Sequence, residues 1–195
     1  THATEAFTCM AKNPLSDAYA TAAIKKISHS LLNVMDNPKD SDGRLELAQA
    51  STMAGIAFSN SMVGLVHALG HATGAICHLP HGLCMSLYLP YVLVYNLETI
   101  RDPLGDLLLY LEGPEVFAAT PASRRAEASI SAIRKLRDAL YKRCQLPRTL
   151  KETGKVTEDQ LDHIAEMALD DGSIMFNPKE VTLEDARAVL RRAWA

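Results

Sequence analysis

Imidazole is the commonest protein ligand for transition metals and the side chain that titrates nearest neutral pH, so the histidines are the first place to look for chemistry. Of the 7 histidines, His67, His71, His78 and His81 fall in one short stretch. His67 and His71 are four residues apart, so on a helix their rings leave the same face one turn from each other. His81 follows directly after Pro80, a residue that breaks helices. A helical HxxxH pair with a third histidine from the next turn can ligate a divalent ion, and neutral imidazole suits iron, zinc, nickel and copper. Packing alone also accounts for two histidines on one helix, and the spacing by itself does not decide between the two. Cys77, His81 and Cys84 suggest a zinc site, but Pro80 and Gly82 keep them off a single helical face, and their spacing fits no common structural zinc pattern. His78 reads as a lining residue, and His29 and His163, on charged helices, read as surface residues. No HExxH is present, so the glutamate base of a metalloprotease is missing.

The surroundings of these histidines are unusual. From Leu47 to Leu97, 51 consecutive residues include no Asp, Glu, Lys or Arg, although the chain carries 20 Lys and Arg and 23 Asp and Glu. Imidazoles in so poorly hydrated a setting need a hydrogen-bond partner or a metal. A membrane span is disfavoured: Ser59-Asn60-Ser61 interrupts the run from Met53 to Leu69, which also lacks Lys and Arg flanks. The later run from Leu83 to Tyr95 is 13 residues, short of the roughly 20 that a span requires. Buried helices are the better reading.

The elements that must position the site are helical throughout, since no stretch alternates apolar and polar residues long enough for a half-buried strand. Ser16 is the expected cap of a first long helix after Pro14, with Ile24, Ile27, Leu31 and Val34 on its buried face. Asn37-Pro38 ends it, Ser41-Asp42-Gly43 makes a turn, and a second helix runs from about Arg44 into the uncharged window. Within the window Gly55, Gly64 and Gly70 are expected to mark close approach of a helix or ligand, since glycine costs about 1 kcal/mol relative to alanine inside a helix. Leu79-Pro80-His81-Gly82 breaks the pattern, so the window reads as two buried helices and the turn between them. Pro90 should kink or shorten the segment ending at Asn96. Residues 101–121 read as a connection with one short helix, and Ser123 as the cap of a helix burying Ile130, Ile133, Leu136 and Leu140. Thr157 with Gln160, and Thr182 with Asp185, form capping-box pairs opening two last helices. The expected fold is all-α, a helical bundle-like single domain over residues 1–195.

Residues Ala54 to Asn60 (AGIAFSN) and Gly64 to His71 (GLVHALGH), with Leu79-Pro80-His81-Gly82 downstream, closely resemble the signature of iron-containing (group III) alcohol dehydrogenases. Thr1-His2-Ala3-Thr4-Glu5-Ala6, Asn13-Pro14 with Ser16-Asp17-Ala18, Asp171-Gly172-Ser173, and Asn177-Pro178-Lys179 followed by Thr182 to Asp185 extend the likeness over nearly the whole chain. The resemblance implies the all-helical C-terminal domain of such an enzyme, with the α/β nucleotide-binding domain outside this chain. It implies that His2, His67 and His81 are metal ligands, together with an Asp four residues before His2, upstream of Thr1. It implies Fe2+, with Zn2+ as the alternative ion, and NAD or NADP as the hydride carrier of the complete enzyme. His71 falls on the family's histidine beside the metal and the nicotinamide, here the catalytic and cofactor-binding candidate. His78 stands where family members often have Asn. The implied activity is hydride transfer between NAD(P)(H) and a primary alcohol or aldehyde.

The net charge of −3 gives no general attraction for nucleic acid. Four cysteines without a CxxC pair read as reduced thiols of a cytoplasmic protein. No signal peptide is recognisable, and a chain opening in helix-like sequence without Met suggests a piece of a longer protein. His2 would then lie at a fraying end, and the piece alone is expected to bind metal weakly and to be inactive. An exposed face left by a missing domain would favour homo-oligomers. The other readings are a stand-alone helical metal-binding or interaction module, and a metal-dependent hydrolase needing a carboxylate that the window does not supply.

Overall fold

Helices and short 3-10 turns make up 78% of the computed structural model, which describes residues 1–195 and contains no strand. The α-helices in chain order are α1 (His2–Thr8), α2 (Pro14–Asp36), α3 (Ser41–Ser61), α4 (Leu65–Cys77), α5 (His81–Asn96), α6 (Arg101–Glu112), α7 (Pro114–Ala119), α8 (Arg125–Cys144), α9 (Leu161–Leu169) and α10 (Leu183–Trp194). The all-α expectation holds, and α2, α3 and α10 carry capping side chains of their own.

Helix starts differ from the sequence expectation in instructive ways. Asn13, not Ser16, caps α2: its side chain accepts from the N–H groups of Leu15 and Ser16, while the Ser16 hydroxyl receives the Asn13 N–H in return. Pro14 fills the first helical position, where no N–H is needed. Ser41-Asp42-Gly43 is not a turn but the opening of α3, because the Asp40 carboxylate accepts from the Gly43 N–H. Ser123 does not cap α8: residues Ala122–Arg124 form a 3-10 turn leading into it. Ile130 and Ile133 on α8 are buried, whereas Leu136 and Leu140 are only half-buried. The 101–121 region holds two helices, α6 and α7, rather than one. Both capping boxes, Thr157 with Gln160 and Thr182 with Asp185, are present.

The uncharged window is not two helices and a turn. It contains α3 from Leu47 to its end, all of α4 and all of α5, with a sharp break at Met62–Gly64 as well as the expected one at His78–Pro80. Across the first break α3 and α4 bend by 108°; no single helix is long and apolar enough to cross a membrane. Met62 takes a positive φ of 91° there, which is strained for a side chain of its size. Pro90 lies inside α5 without ending it.

α4 lies at the centre of the packing. Its Leu65, Val66, Ala68 and Leu69 are fully buried, and it packs on α5, on α9 and on the 3-10 turn Gly172–Phe176. α2 and α3 pack along each other with α1 against both, while α6 packs on α8 and α10 on α9 and α5. Each buried Leu stabilises the fold by roughly 1.5–3 kcal/mol relative to exposure. At Gly70 the α4–α5 contact is close: a Cβ there would fall 2.0 Å from the Met85 terminal methyl, which would have to move. Gly55, in contrast, faces open space, so the expected close approach does not occur there. One turn on from Gly70, the Thr73 hydroxyl is hydrogen-bonded to the Tyr88 hydroxyl at 2.5 Å, and burial drives the Tyr88 phenol well above its ordinary pKa.

Candidate metal centre

Three helix starts and one helix end meet at the histidines. His2 is the first residue of α1, His67 lies in the first turn of α4, and His81 is the first residue of α5. Phe58, near the end of α3, stacks on the His2 ring at 4.4 Å between centroids. The break at Pro80 positions His81: α4 runs out with His78 in the left-handed conformation, and the chain returns so that the His81 ring lies beside the His67 and His71 rings of α4.

The sequence places these histidines up to 79 positions apart, yet His2, His67 and His81 each offer a ring nitrogen within 4.8 Å of the other two. The ring centroids are 4.4 Å apart for His2–His67, 5.4 Å for His67–His81 and 5.6 Å for His2–His81. His67 is buried, His2 half-buried and His81 exposed, so the poorly hydrated setting holds for only part of the group. His2, near the start of the chain, is the first residue of α1 and packs against the Phe58, His67 and His81 rings.

Electrostatics favour the neutral, metal-ligating form of His2 and His81. Burial, with repulsion from His67 and His81, holds the pKa of His2 down to about 3. Burial and the His67 and His71 rings also lower that of His81. Neutral imidazoles with a lone pair facing a common point fit a divalent ion better than they fit one another. His67 Nε2 is buried without a hydrogen-bond partner, an arrangement that costs about 1–3 kcal/mol unless something binds there. The residues therefore fit a metal.

His71 lies beside this group rather than in it, 5.5 Å from His67 and 5.4 Å from His81 between ring centroids, with 42% of its side chain exposed. Its Nδ1 donates to Asp171 Oδ2 at 2.8 Å, and Asp171 Oδ1 accepts the Ser173 N–H at 2.8 Å. Burial works to raise the Asp171 pKa, but the hydrogen bonds from Ser173 and His71 outweigh it and hold the carboxyl below its ordinary value. His78 is the exposed C-cap of α4 and joins no part of the cluster. His29 and His163 are exposed, as expected. Cys77 donates to Gln160 Oε1 at 3.4 Å, and burial raises the thiol pKa of Cys77 and that of Cys84, the latter to about 11. Neither joins the histidine group, whose members are His2, His67 and His81.

Two carboxylates come to the site that the residue pattern did not announce. Glu5, 4% exposed, receives the Val66 N–H on Oε1 at 2.9 Å and is hydrogen-bonded through Oε2 to His67 Nδ1. Asp171 reaches His71 across 100 residues. The uncharged window is thus supplied with acid from both ends of the chain. A local signal existed for Glu5, three residues after His2 and therefore on the same face of α1; for Asp171 the only signal was its place in the family-like string Asp171-Gly172-Ser173, which named no role. Asn177 is the third unannounced residue: its Oδ1 accepts the Leu65 N–H at 3.2 Å, and its amide pairs with the Asn96 amide in both directions at 2.9 Å.

Comparison with known proteins supplies the family context. Residues 1–194 match the family described as Fe-containing alcohol dehydrogenase family, C-terminal. Alcohol dehydrogenase 4 of Saccharomyces cerevisiae is 35% identical over 196 residues, which is 100% of this chain and 48% of that protein. 1,3-Propanediol dehydrogenase of Klebsiella pneumoniae is 33% identical, over 100% of this chain and 48% of that protein. The crystal structure of a 1,3-propanediol oxidoreductase superposes with a TM-score of 0.92 at 32% identity, over 100% of this chain and 49% of the other. The chain spans about half the length of the curated relatives it matches.

Proposed function

Since the chain belongs to the Fe-containing alcohol dehydrogenase family, we propose that it supplies the metal-binding half of an NAD(P)(H)-dependent dehydrogenase interconverting a primary alcohol and its aldehyde. The observation that carries this reading is the convergence of His2, His67 and His81, whose ring nitrogens lie within 4.8 Å of one another while His67 Nε2 is buried and unpaired. These three residues would hold the ion, Fe2+ or Zn2+, with a carboxylate from upstream of Thr1 as a further ligand. A divalent ion bound there supplies Lewis acidity toward the substrate oxygen. The nicotinamide nucleotide would be carried by a domain outside these 195 residues.

The remaining work falls to residues of this chain. Phe58 and the buried wall of α4 keep water from the inner side of the three rings, which strengthens electrostatic interactions in the pocket. His71 lines the outer side; with its Nδ1 committed to Asp171, Nε2 is the nitrogen left to pass a proton between the pocket and solvent. The cysteines are all free and three are buried, which suits the reducing cytoplasm.

The test uses the protein expressed from its whole gene, stripped with chelator and reloaded with Fe(II) or Zn(II). Reloading should restore aldehyde-dependent oxidation of NADH or NADPH across a series of short primary aldehydes. His67→Ala should weaken metal binding by more than about a hundredfold, beyond what loss of an outer partner costs. Metal binding without any nicotinamide turnover would reduce the chain to a metal-binding module. No metal binding at all would overturn the reading.

A further inference from the structure

One carboxylate is committed on both oxygens at the point where α1 meets α4. Glu5 Oε1 accepts the N–H of Val66, one of the N-terminal groups of α4 that no residue of the helix itself can satisfy. Glu5 Oε2 faces His67 Nδ1 within hydrogen-bond reach. The capping residue of α4 is Gly64, which has no side chain to offer, and a Cβ at that position would stand 3.3 Å from Glu5 Oε1. Glu5 therefore takes the place a capping side chain would fill. It lies three residues after His2 on α1, so the same short helix delivers one ring to the cluster and grips another.

We propose that Glu5 is a positioning residue that fixes the tautomer of His67. A carboxylate oxygen accepts and does not donate, so the hydrogen bond to Oε2 requires the proton on Nδ1. The lone pair is then on Nε2, the buried atom with no partner in the protein, directed among the His2 and His81 rings. Because Oε1 is anchored on the Val66 N–H, the carboxylate cannot rotate away without uncapping α4, and ring orientation and helix position are set together. This rests on the metal-site reading above and adds to it: readiness to bind the ion is built into the protein before the ion arrives.

The amide of Glu5→Gln distinguishes this role from packing. Its oxygen must still serve the Val66 N–H, which leaves its NH2 facing His67 Nδ1. The ring then has to accept at Nδ1, and its proton moves to Nε2, where it blocks the ion. The helix keeps its cap, the side-chain volume is unchanged, and only the tautomer is inverted.

The measurement is long-range 1H–15N correlation of histidine-labelled, metal-free protein expressed from its whole gene, with the His67 signals assigned by their loss in His67→Ala. Wild type should show Nδ1–H and Glu5→Gln should show Nε2–H. Competition against a chromophoric chelator should find Zn(II) bound about 10- to 100-fold more weakly by Glu5→Gln, with little change in thermal midpoint. Glu5→Ala, which loses the cap as well, should fall in both. A wild-type His67 protonated on Nε2 would overturn the proposal, and that spectrum needs no variant to fold. Unchanged Zn(II) affinity in Glu5→Gln would overturn it too. Failure of wild type to bind metal would instead remove the metal-site reading, while the wild-type tautomer would still decide the role of Glu5.

Discussion

Asp171 is held at both oxygens, by the Ser173 N–H and by His71 Nδ1, so it can hold the His71 ring without moving itself. Replacing it by Ala should leave metal content unchanged and lower turnover tenfold or more, a share of the about 10²–10⁴ that a positioned proton-transfer group contributes. The pH–rate profile should change with it; a profile parallel to wild type would exclude His71 from proton transfer. The depressed pKa values act on stability as well. The unfolded chain protonates His2 near 6.5 and the folded chain only near 3, so the unfolded state binds more protons between those limits. His81 adds in the same direction. Metal-free protein should therefore lose thermal stability as pH falls from about 6.5 toward 3, and show little dependence on these groups above about pH 7. Melting curves across that range check the sign. At this scale the sequence was a good guide where the signal was local. His67, His71 and His81 could be singled out from HxxxH and the Pro break, and His2 from the family resemblance. Asp171 and Asn177 could not, because each acts on a residue about a hundred positions away.

The same distinction holds for helices. Those with local signals could be read nearly to the residue: α10 through its capping box, α9 through the box that opens the 3-10 turn Glu158–Gln160 leading into it, and the end of α2 at Asn37. The break between α3 and α4 was missed because its determinants are remote. Gly64 has no capping side chain, and the first N–H groups of α4 are served by Asn177 and Glu5. Asn177→Ala would strand the Leu65 N–H, the Asn96 amide and the Lys179 carbonyl. That should cost about 1–3 kcal/mol, a fall of roughly 3–10 °C in melting temperature for a chain of this size. Gly70→Ala should cost a similar 1–3 kcal/mol by overpacking Met85. Combining it with Met85→Ala should recover part of the loss, because the obstacle is the end of a flexible side chain. If the double variant is no more stable than Gly70→Ala alone, the glycine is needed for another reason.

At the scale of the whole molecule, the histidine group has one finished wall and one open side. His67 is sealed against the buried face of α4, whereas His71 and His81 are exposed. With about half the length of its relatives represented, the 195-residue chain by itself should give no nicotinamide-dependent aldehyde reduction in a spectrophotometric assay that registers the whole-gene product. Turnover by the short chain would show that the open side needs no cover.

The cap that Asn177 places on α4 also sets a clock. A ribosome makes His2 and Glu5 before α4, and α4 well before Asn177, which lies 112 residues beyond Leu65. At about 5–20 residues per second, α4 waits roughly 5 to 20 seconds for the side chain that fixes its first turn. His71 waits nearly as long for Asp171, 100 residues downstream. A nascent chain therefore holds all three histidines of the cradle, and Glu5 with them, well before it holds the two braces that come from its far end.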